Sequence, residues 1–379
     1  MATVASPAAK EYLRLASASD VGPVSCLRLV EHFGGIEKVL AASEAELCRV
    51  EGIGRTRATA IRRAAQDREA VEAELALAAE HGVRIICPED EEYPPSLKHI
   101  PDPPICLYVR GTLQPTDTLA VAIVGSRRCT HYGTEQAKRF AYALGNSGMT
   151  VVSGMARGID SFAHIGALEA NGRTLAVLGN GLSTVYPPEG RDLHDRIVRQ
   201  GAVLSELPMT TSPDGQNFPA RNRIIVGLSL GVIVVEAGGR SGALITARLA
   251  NEYNREVFCV PGRVDSPNSE GPNRLIRDAA AKLILSVEDV LDELGIHGRQ
   301  LKQDAERLLD APAEPAIPVK LSDDERSVLG VLDLDGLDPD AISQRSGVSP
   351  AGTSASLVTL QLKSLVKQLP GNLFIRTVR

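Results

Sequence analysis

Ala120-Val-Ala-Ile-Val124 is a run of five apolar residues, and Gly125-Ser-Arg127 follows it directly. A continuous apolar run of this length is typical of a β-strand that is buried on both faces, as the strands of a parallel sheet are. Glycine in the turn after such a strand lets backbone N–H groups approach an anion. We therefore predict a buried strand over 120–124 with a candidate anion-binding turn at its carboxyl end.

Strand-like and helix-like segments alternate from residue 119 to residue 295. The other predicted strands are short apolar runs at 149–152, 175–178, 202–204, 232–235 and 257–260. Segments with helical spacing lie between these runs or after them, as crossover helices do. The alternation predicts an α/β fold, a Rossmann-like, doubly wound and mostly parallel sheet. Ligands of such sheets bind beyond the carboxyl ends of the strands.

Residues 1–75 are predicted to form a separate domain of short helices. Within it, Gly52-Ile-Gly54 lies between two helix-like segments, as the glycine hairpin of a helix-hairpin-helix (SAM-like) domain does. Such a hairpin can direct backbone N–H groups at a phosphate without reading a base. The same hairpin can instead serve packing in a protein-interaction module, and both interpretations remain open.

The sheet and an N-terminal extension to it are predicted to occupy residues 76–297, and a proline-containing linker residues 298–320. The last predicted domain is 321–379. Within it, 340–350 has a helix-turn-helix pattern and 370–376 the pattern of a hairpin wing, which together indicate a winged helix. Winged helices bind either DNA or protein, and the acidic balance of this region favours protein.

The composition excludes several classes of protein. Of the 379 residues, 43% are hydrophobic and 23% charged, which is ordinary for a globular chain and excludes global disorder. No apolar run approaches the roughly 20 residues of a membrane helix, and the N-terminal segment lacks the apolar core of a signal peptide. The six cysteines form no Cys-x-x-Cys pair, which argues against a disulfide framework and a zinc ribbon. We expect a cytoplasmic protein without metal or cofactor.

The net charge of −6 conceals an uneven distribution. Residues 121–278 hold 17 basic and 14 acidic residues, and 16 of the 17 basic residues are arginine. The planar guanidinium group binds phosphate through two parallel hydrogen bonds, so this bias suits phosphate recognition. An arginine-rich genome produces the same bias, and composition alone does not decide between the two explanations.

Loops that contain glycine lie next to several of the predicted strands, and most of them carry arginine. They include 125–128, 153–160, 217–223 and 237–242. Glycine admits an anion to the backbone, and the helix N-termini that follow add a favourable potential. Because the loops meet at one edge of the sheet, we expect a site for a nucleotide or a polyanion there.

The motifs in these loops, taken in order, resemble the DprA/Smf family of DNA processing proteins. The matching segments are Val121-Ala-Ile-Val-Gly-Ser-Arg127, Ser153-Gly-Met-Ala-Arg-Gly-Ile-Asp160, Phe218-Pro-Ala-Arg-Asn-Arg-Ile-Ile225, Val235-Glu-Ala-Gly-Gly-Arg-Ser-Gly-Ala-Leu-Ile-Thr246 and Val260-Pro-Gly262. The two end domains match additions found in the same family, so the resemblance covers nearly the whole chain. One departure is Gly190, after Tyr186-Pro-Pro-Glu, where the resemblance leads us to expect asparagine.

The resemblance implies a homodimer that binds and protects incoming single-stranded DNA and loads the RecA recombinase onto it during natural transformation. It also assigns Arg127, Phe218, Arg221, Asn222 and Arg223 to the DNA site. Arginine–phosphate pairs combined with base stacking on an aromatic ring suit single-stranded DNA. Two alternatives remain open: Phe218 as a core residue, and Arg221 or Arg223 as a buried brace of the fold, paired with an acid such as the glutamate at position 236.

The family motifs and the glycine loops together define the predicted site. Its candidate DNA-binding residues are Gly125, Ser126, Arg127, Ser153, Gly154, Arg157, Phe218, Arg221, Asn222, Arg223, Gly239, Arg240 and Ser241. No catalytic residue is assigned, because Asp160 is expected to cap the following helix and His164 to pack against it rather than to form a triad with Ser153. The alternative is a nucleotide phosphoribohydrolase-like enzyme on a similar fold. It is disfavoured because Leu244 and Ile245 stand where such enzymes carry carboxylates.

Overall fold

The computed structural model describes residues 4–295, 321–332, 336–363, 365–369 and 373–376. Its contacts divide the chain into a first unit of residues 1–306 and a second unit of residues 307–379. The predicted linker at 298–320 lies outside the described residues. In the described ranges, no helix combines the length and the apolar character that crossing a bilayer requires.

A nine-stranded sheet forms the centre of the first unit. Its strands are β1 (Arg84–Ile86), β2 (Leu107–Gly111), β3 (Ala120–Val124), β4 (Thr150–Ser153), β5 (Thr174–Val177), β6 (Ala202–Ser205), β7 (Gly231–Val234), β8 (Glu256–Cys259) and β9 (Lys282–Leu283). The spatial order is β1-β2-β6-β5-β4-β3-β7-β8-β9, and β3 to β9 run parallel. All six predicted strands are present to within one residue at each end, so the predicted sheet is confirmed.

Helices form the segments that precede the sheet in the sequence and most of the segments that connect or follow its strands. They are α1 (Pro7–Ala16), α2 (Pro23–Phe33), α3 (Ile36–Ala41), α4 (Glu44–Leu47), α5 (Arg55–Gln66), α6 (Arg68–Glu80), α7 (His131–Asn146), α8 (Ile159–Glu169), α9 (Arg191–Gln200), α10 (Asn217–Leu228), α11 (Gly242–Glu252), α12 (Glu270–Arg277) and α13 (Val287–Glu293). Alternate residues of β3 belong to two different apolar cores. Val121 and Ile123 pack with Phe140 of α7, whereas Ala122 packs with Ile224 of α10. Helices therefore cover both faces of the sheet, as the doubly wound prediction requires.

The strand β2 lies outside the sequence prediction. It pairs antiparallel with β1 on one side and with β6 on the other, and so extends the parallel sheet by two strands. The prolines at 101, 103 and 104 closely precede β2, and their pattern predicts a loop for the whole segment that contains β2. Pairing with β6 provides the tertiary contact that makes this segment a strand, and no local pattern signals it.

The N-terminal helices pack on the sheet through a shared apolar core. Leu29 of α2 and Ile61 of α5 belong to the same buried cluster as Ala176 of β5 and Val203 of β6. The predicted glycine hairpin joins α4 to α5, and Gly52 adopts a φ of 83° in the left-handed region that favours glycine. The predicted boundary at residue 75 falls within α6. The helices and the sheet thus share one hydrophobic core within the first unit.

The second unit is a small winged helix. It contains α14 (Asp323–Val331), α15 (Pro339–Ser346) and α16 (Pro350–Leu362), followed by the antiparallel strands β10 (Val366–Leu369) and β11 (Leu373–Arg376). Its core includes Val328, Ile342, Leu357 and Phe374, one from each helix and one from the wing. The predicted helix-turn-helix and hairpin are both present. The turn of the wing, at 370–372, lies outside the described residues.

Glu74 of α6 forms two hydrogen bonds that link the helical region to β2 and to the segment after β6. Its carboxylate accepts one from the Tyr108 hydroxyl at 2.8 Å and one from the Met209 backbone N–H at 2.7 Å. Burial and the neighbouring Glu74 carboxylate raise the pKa of Tyr108, so the phenol remains a neutral donor. The carboxylate therefore satisfies a backbone donor and a buried hydroxyl together.

Replacing Glu74 with alanine leaves both donors without this partner. We expect Glu74→Ala to lower the free energy of unfolding by about 1–3 kcal/mol, the usual cost of leaving buried polar groups unpaired. Denaturant unfolding of the full chain measures the change. Glu72→Ala, on the exposed face of the same helix, is the matched control and should change stability little. Equal stability of the two variants would contradict the proposed link.

Candidate nucleic-acid interface

An open cavity of about 820 Å³ lies beyond the carboxyl ends of the central strands. Its walls are the loops after β3 and β7 and the first turns of α10 and α11. Nine of the predicted site residues line it: Gly125, Ser126, Arg127, Phe218, Arg221, Asn222, Gly239, Arg240 and Ser241. Gly154 and Arg157 line a smaller neighbouring pocket. Ser153 and Arg223 line neither of the two.

The loop after β3 is held tightly against its surroundings. A Cβ on Gly125 would lie 2.5 Å from Cγ1 of Ile159 and 2.9 Å from the Glu236 carbonyl oxygen, so only glycine fits there. The Ser126 backbone N–H donates to the same Glu236 carbonyl at 2.6 Å. The side chain of Arg127 is exposed and reaches the cavity. A rigid backbone thus presents a solvent-accessible guanidinium group.

Glu236 forms hydrogen bonds to the residue that precedes α7 and so fixes the N-terminus of this helix. Its buried carboxylate accepts hydrogen bonds from the backbone N–H of Thr130 at 2.8 Å and from the Thr130 hydroxyl at 2.5 Å. A Cβ on Gly133 would lie 2.3 Å from this carboxylate, which explains the glycine in the first turn of α7. Neither Arg221 nor Arg223 forms an ion pair with Glu236. The alternative that named Glu236 as the partner of a bracing arginine is therefore wrong about the partner.

Arg221 is a buried brace within the cavity floor. Its Nη1 atom donates to the carbonyl oxygen of Gly154 at 2.8 Å and also to that of Val177, so α10 is tied to the ends of β4 and β5. Burial lowers the pKa of Arg221 to about 10, at which value the group stays charged at neutral pH. Burial also raises the pKa of Asp160, and the nearby Arg221 opposes that shift. A Cβ on Gly154 would lie 2.3 Å from the guanidinium group.

Arg223 points away from the cavity. Only 7% of it is exposed, and it forms ion pairs with Asp102, at 3.0 Å, and with Glu206. Burial raises the pKa of Glu206, against the opposing effect of the Arg223 charge. Ser153 is likewise internal, because its hydroxyl donates to the Ile123 carbonyl at 2.6 Å and joins β4 to β3. The structure thus places both residues in support of the fold and does not bring them to the other predicted site residues.

The cavity has a strongly positive lining. Its charged residues are four arginines, Arg127, Arg128, Arg221 and Arg240, and one acid, Asp160. The acid lies beside the buried Arg221, which leaves the three other arginines exposed to solvent. The N-termini of α10 and α11 border the same space and add partial positive charge. The arrangement suits a ligand with several negative charges.

Phe218 forms part of the cavity wall and is half-buried, so the alternative that it is a core residue is not supported. The Arg127 guanidinium lies over its ring at 5.0 Å from the centroid. Gly179 backs the ring, because a Cβ there would lie 2.8 Å from Cδ1 of Phe218. The ring of Tyr186 adjoins it at a centroid distance of 5.9 Å. Sequence reasoning did not assign Tyr186 to the site, although its place in the loop after a predicted strand was an available signal.

The residues considered for catalysis do not form a reactive group. The Ser153 hydroxyl is bonded to a backbone carbonyl, and Nδ1 of His164 lies 2.7 Å from the Thr174 hydroxyl. Burial lowers the pKa of His164 to about 3, which keeps the imidazole neutral. In the cavity lining, Ile245 contributes an apolar side chain, and Leu244 packs against a core. Among the described residues, no cluster of histidine, cysteine and acidic side chains has the geometry to hold a metal ion.

Three family models match the chain. The model of DNA recombination-mediator protein A matches residues 84–295, the DprA winged helix domain matches 311–372, and the SAM-like helix-hairpin-helix tandem matches 12–67. The three matches correspond to the sheet, the winged helix and the N-terminal helices. Both predicted end modules are thereby confirmed.

Individual proteins agree with these matches. The Smf protein of Synechocystis sp. is 36% identical over 95% of this chain and 96% of its own length, and Streptococcus pneumoniae DprA is 44% identical over 54% and 72%. The crystal structure of S. pneumoniae DprA superposes with a TM-score of 0.67 at 33% identity, over 76% of this chain and 99% of that one. Helicobacter pylori DprA, whose structure concerns its single-stranded DNA binding mode, gives a TM-score of 0.50 at 31% identity over 57% and 95%. The chain therefore belongs to the DprA/Smf family of DNA processing proteins.

Proposed function

We propose that this protein binds single-stranded DNA in the arginine-lined cavity, without turning it over. The observation that carries the proposal is the exposed guanidinium of Arg127 over the half-buried ring of Phe218, at the wall of a cavity with a single acidic residue in its lining. Arginine pairs with phosphate through charge-assisted hydrogen bonds. An aromatic ring stacks on any base, so the site requires no particular sequence.

The preference for single strands follows from the same chemistry. Base faces are available for stacking only where they are not stacked on neighbouring bases within a duplex. The H. pylori relative, whose structure concerns single-stranded DNA binding, supports the same assignment. The proposed contacts are Arg127, Arg157, Phe218, Asn222 and the Gly239-Arg240-Ser241 loop. Arg221, Arg223 and Ser153 support these contacts from within the fold.

We further propose that the protein acts in the cytoplasm as a homodimer, protects incoming DNA and loads RecA during natural transformation. Family membership supports these roles. The sheet edge at β9 supports self-association, because Leu283 of β9 is 42% exposed and Leu285, two residues beyond it, is 64% exposed. An exposed apolar edge strand is a ready site for pairing with a second chain.

The winged helix is proposed to contact protein rather than DNA. Its second motif helix, α16, has the sequence Pro-Ala-Gly-Thr-Ser-Ala-Ser-Leu-Val-Thr-Leu-Gln-Leu, which contains no basic residue. A helix that reads the major groove normally presents arginine, lysine or amide side chains to base edges and phosphates. The exposed side chains of α16 include Ala351, Ala355 and Val358, which suit an apolar contact.

Arg127 provides the most direct test of the DNA site. We expect Arg127→Ala to weaken binding of a single-stranded oligonucleotide by about 10- to 150-fold, because a hydrogen bond to a charged group contributes roughly 1.5–3 kcal/mol. The log–log salt slope should fall by about 0.7, the value for one neutralised phosphate on a single strand. Arg55→Ala, an exposed arginine of the helical region, is the control and should leave both quantities unchanged. Unchanged affinity of a folded Arg127→Ala variant would reject the site.

In contrast to Arg127, Arg221 is expected to stabilise the fold rather than to contact DNA directly. Removing its side chain leaves Asp160 without its nearby charge and frees two carbonyl oxygens, so we expect Arg221→Ala to lower the free energy of unfolding by about 3–5 kcal/mol. Denaturant unfolding gives the value, and Arg127→Ala should retain wild-type stability in the same assay. An Arg221→Ala variant as stable as wild type would show that the guanidinium is not a structural brace.

Introducing negative charge at the proposed dimer interface, the sheet edge at β9, tests whether that edge holds the dimer together. Introducing both Leu283→Glu and Leu285→Glu places one carboxylate on the edge strand and one directly after it, and we expect the dimer to dissociate at micromolar protein in sedimentation velocity. Val24→Glu is the control, because that valine has a similar 43% exposure on α2 and lies outside the sheet. A wild-type protein that sediments as a monomer would overturn the proposed homodimer, and a double variant that remains dimeric would move the interface elsewhere.

A further inference from the structure

Two arginines and two aromatic rings form a continuous row beside the cavity. The Arg127 guanidinium lies 5.0 Å from the Phe218 ring centroid, and the Phe218 ring lies 5.9 Å from that of Tyr186 at an interplanar angle of 37°. The Arg157 guanidinium then lies 6.0 Å from the Tyr186 ring. The half of the row formed by Tyr186 and Arg157 extends beyond the 820 Å³ cavity, whose lining includes neither residue.

The rings are accessible but leave no room between them. Phe218 and Tyr186 are both half-buried, and the side chain of Arg157 is 54% exposed. The pocket that these three residues share offers only about 20 Å³, far less than a nucleobase occupies. A base therefore cannot insert between the two rings as they stand. It can lie on the outer surface of a ring, which is how successive bases contact single-strand binding proteins.

The loop that carries Tyr186 is fixed by internal hydrogen bonds. The Asn180 side-chain amide donates to the carbonyl oxygens of Gly181, at 2.9 Å, and Thr184, at 2.8 Å. The Ser183 hydroxyl donates to the Met209 carbonyl at 2.6 Å, which ties the loop to the segment after β6. An aromatic ring held in this way loses little conformational freedom when a base stacks on it.

Arg157 is positioned for an exchangeable anion. Its guanidinium group donates to both carboxylate oxygens of Glu189, at 2.5 and 3.1 Å, and this pairing raises the pKa of Arg157. The two side chains are 54% and 58% exposed, and an ion pair this exposed adds little to stability. A phosphate presents the same pair of oxygens to the guanidinium fork. A DNA phosphate can therefore replace the Glu189 carboxylate without loss to the fold.

We propose that Tyr186 is a second base-stacking residue and that Arg157 binds the phosphate beside it. This inference rests on the proposed function and extends the bound single strand by one nucleotide beyond Phe218. The two stacking positions differ in setting, because Phe218 lines the cavity whereas Tyr186 lies outside it. The subsite accepts any base, since every base has a stacking face.

The absence of tryptophan from the sequence allows each ring to be observed separately. Tyr186→Trp and Phe218→Trp, made singly in the full chain, each introduce one tryptophan whose fluorescence is quenched when a base stacks on it. Addition of a thymidine oligonucleotide should quench both. Tyr142→Trp, at a 45% exposed position on α7, is the control and should not respond. Quenching at position 218 without quenching at position 186 would overturn the inference and leave the proposed function intact.

Affinity measurements provide the second readout. Tyr186→Leu should weaken binding of the oligonucleotide about 5- to 150-fold, the usual range when a stacking side chain is removed, whereas Tyr186→Phe should bind within about twofold of wild type. On a fully abasic strand, Tyr186→Leu and wild type should bind equally, because no base remains to stack. An equal loss on both strands would mean that Tyr186 only braces its loop, and would overturn the inference. A wild-type protein without salt-dependent binding would instead refute the proposed function.

Discussion

The guanidinium group of Arg221 lies inside the protein at the carboxyl end of the sheet, and the geometry of the binding site depends on it. Through two carbonyl oxygens it ties the N-terminal half of α10 to the ends of β4 and β5. The same half of the helix carries Phe218 and Asn222, so one buried contact positions the aromatic wall and its polar neighbour. Gly154 follows from this constraint, since any side chain there would collide with the guanidinium group.

Burial divides the arginines of the site into two groups. Arg221 donates to carbonyl oxygens and Arg223 pairs with carboxylates within the fold, whereas Arg127, Arg157 and Arg240 are exposed. Placing a charge inside the protein is costly unless it is paired. The two buried arginines therefore stabilise the fold and are not available to bind a ligand. The exposed group retains its charge for an anion. Together the two sets of arginines form a preorganised site. Folding already fixes the binding residues, so they lose little conformational entropy when a ligand binds.

The sequence predicts the strands and the edge at which the site lies, because apolar runs and glycine turns are local signals that survive in the fold. The strand over 120–124 is correct at both ends. By contrast, β2 depends on pairing with distant β6, and no local pattern reveals that contact. Arg223 stands two residues from Arg221 in the same motif, yet its direction is set by Asp102 and Glu206, which lie far away in the sequence. Tyr186 joins Phe218 only through the folding of two separate loops.

Phosphate pairing and base stacking together are proposed to hold a single nucleic-acid strand in the cavity. Parallel titrations of the full chain with a single-stranded oligonucleotide and with its duplex, at several salt concentrations, distinguish this mode of binding from binding by charge alone. We expect tighter binding of the single strand at every salt concentration, with an affinity that falls steeply as salt rises because paired phosphates release their counterions. Equal affinity for the duplex, or binding of the single strand that does not change with salt, would contradict it.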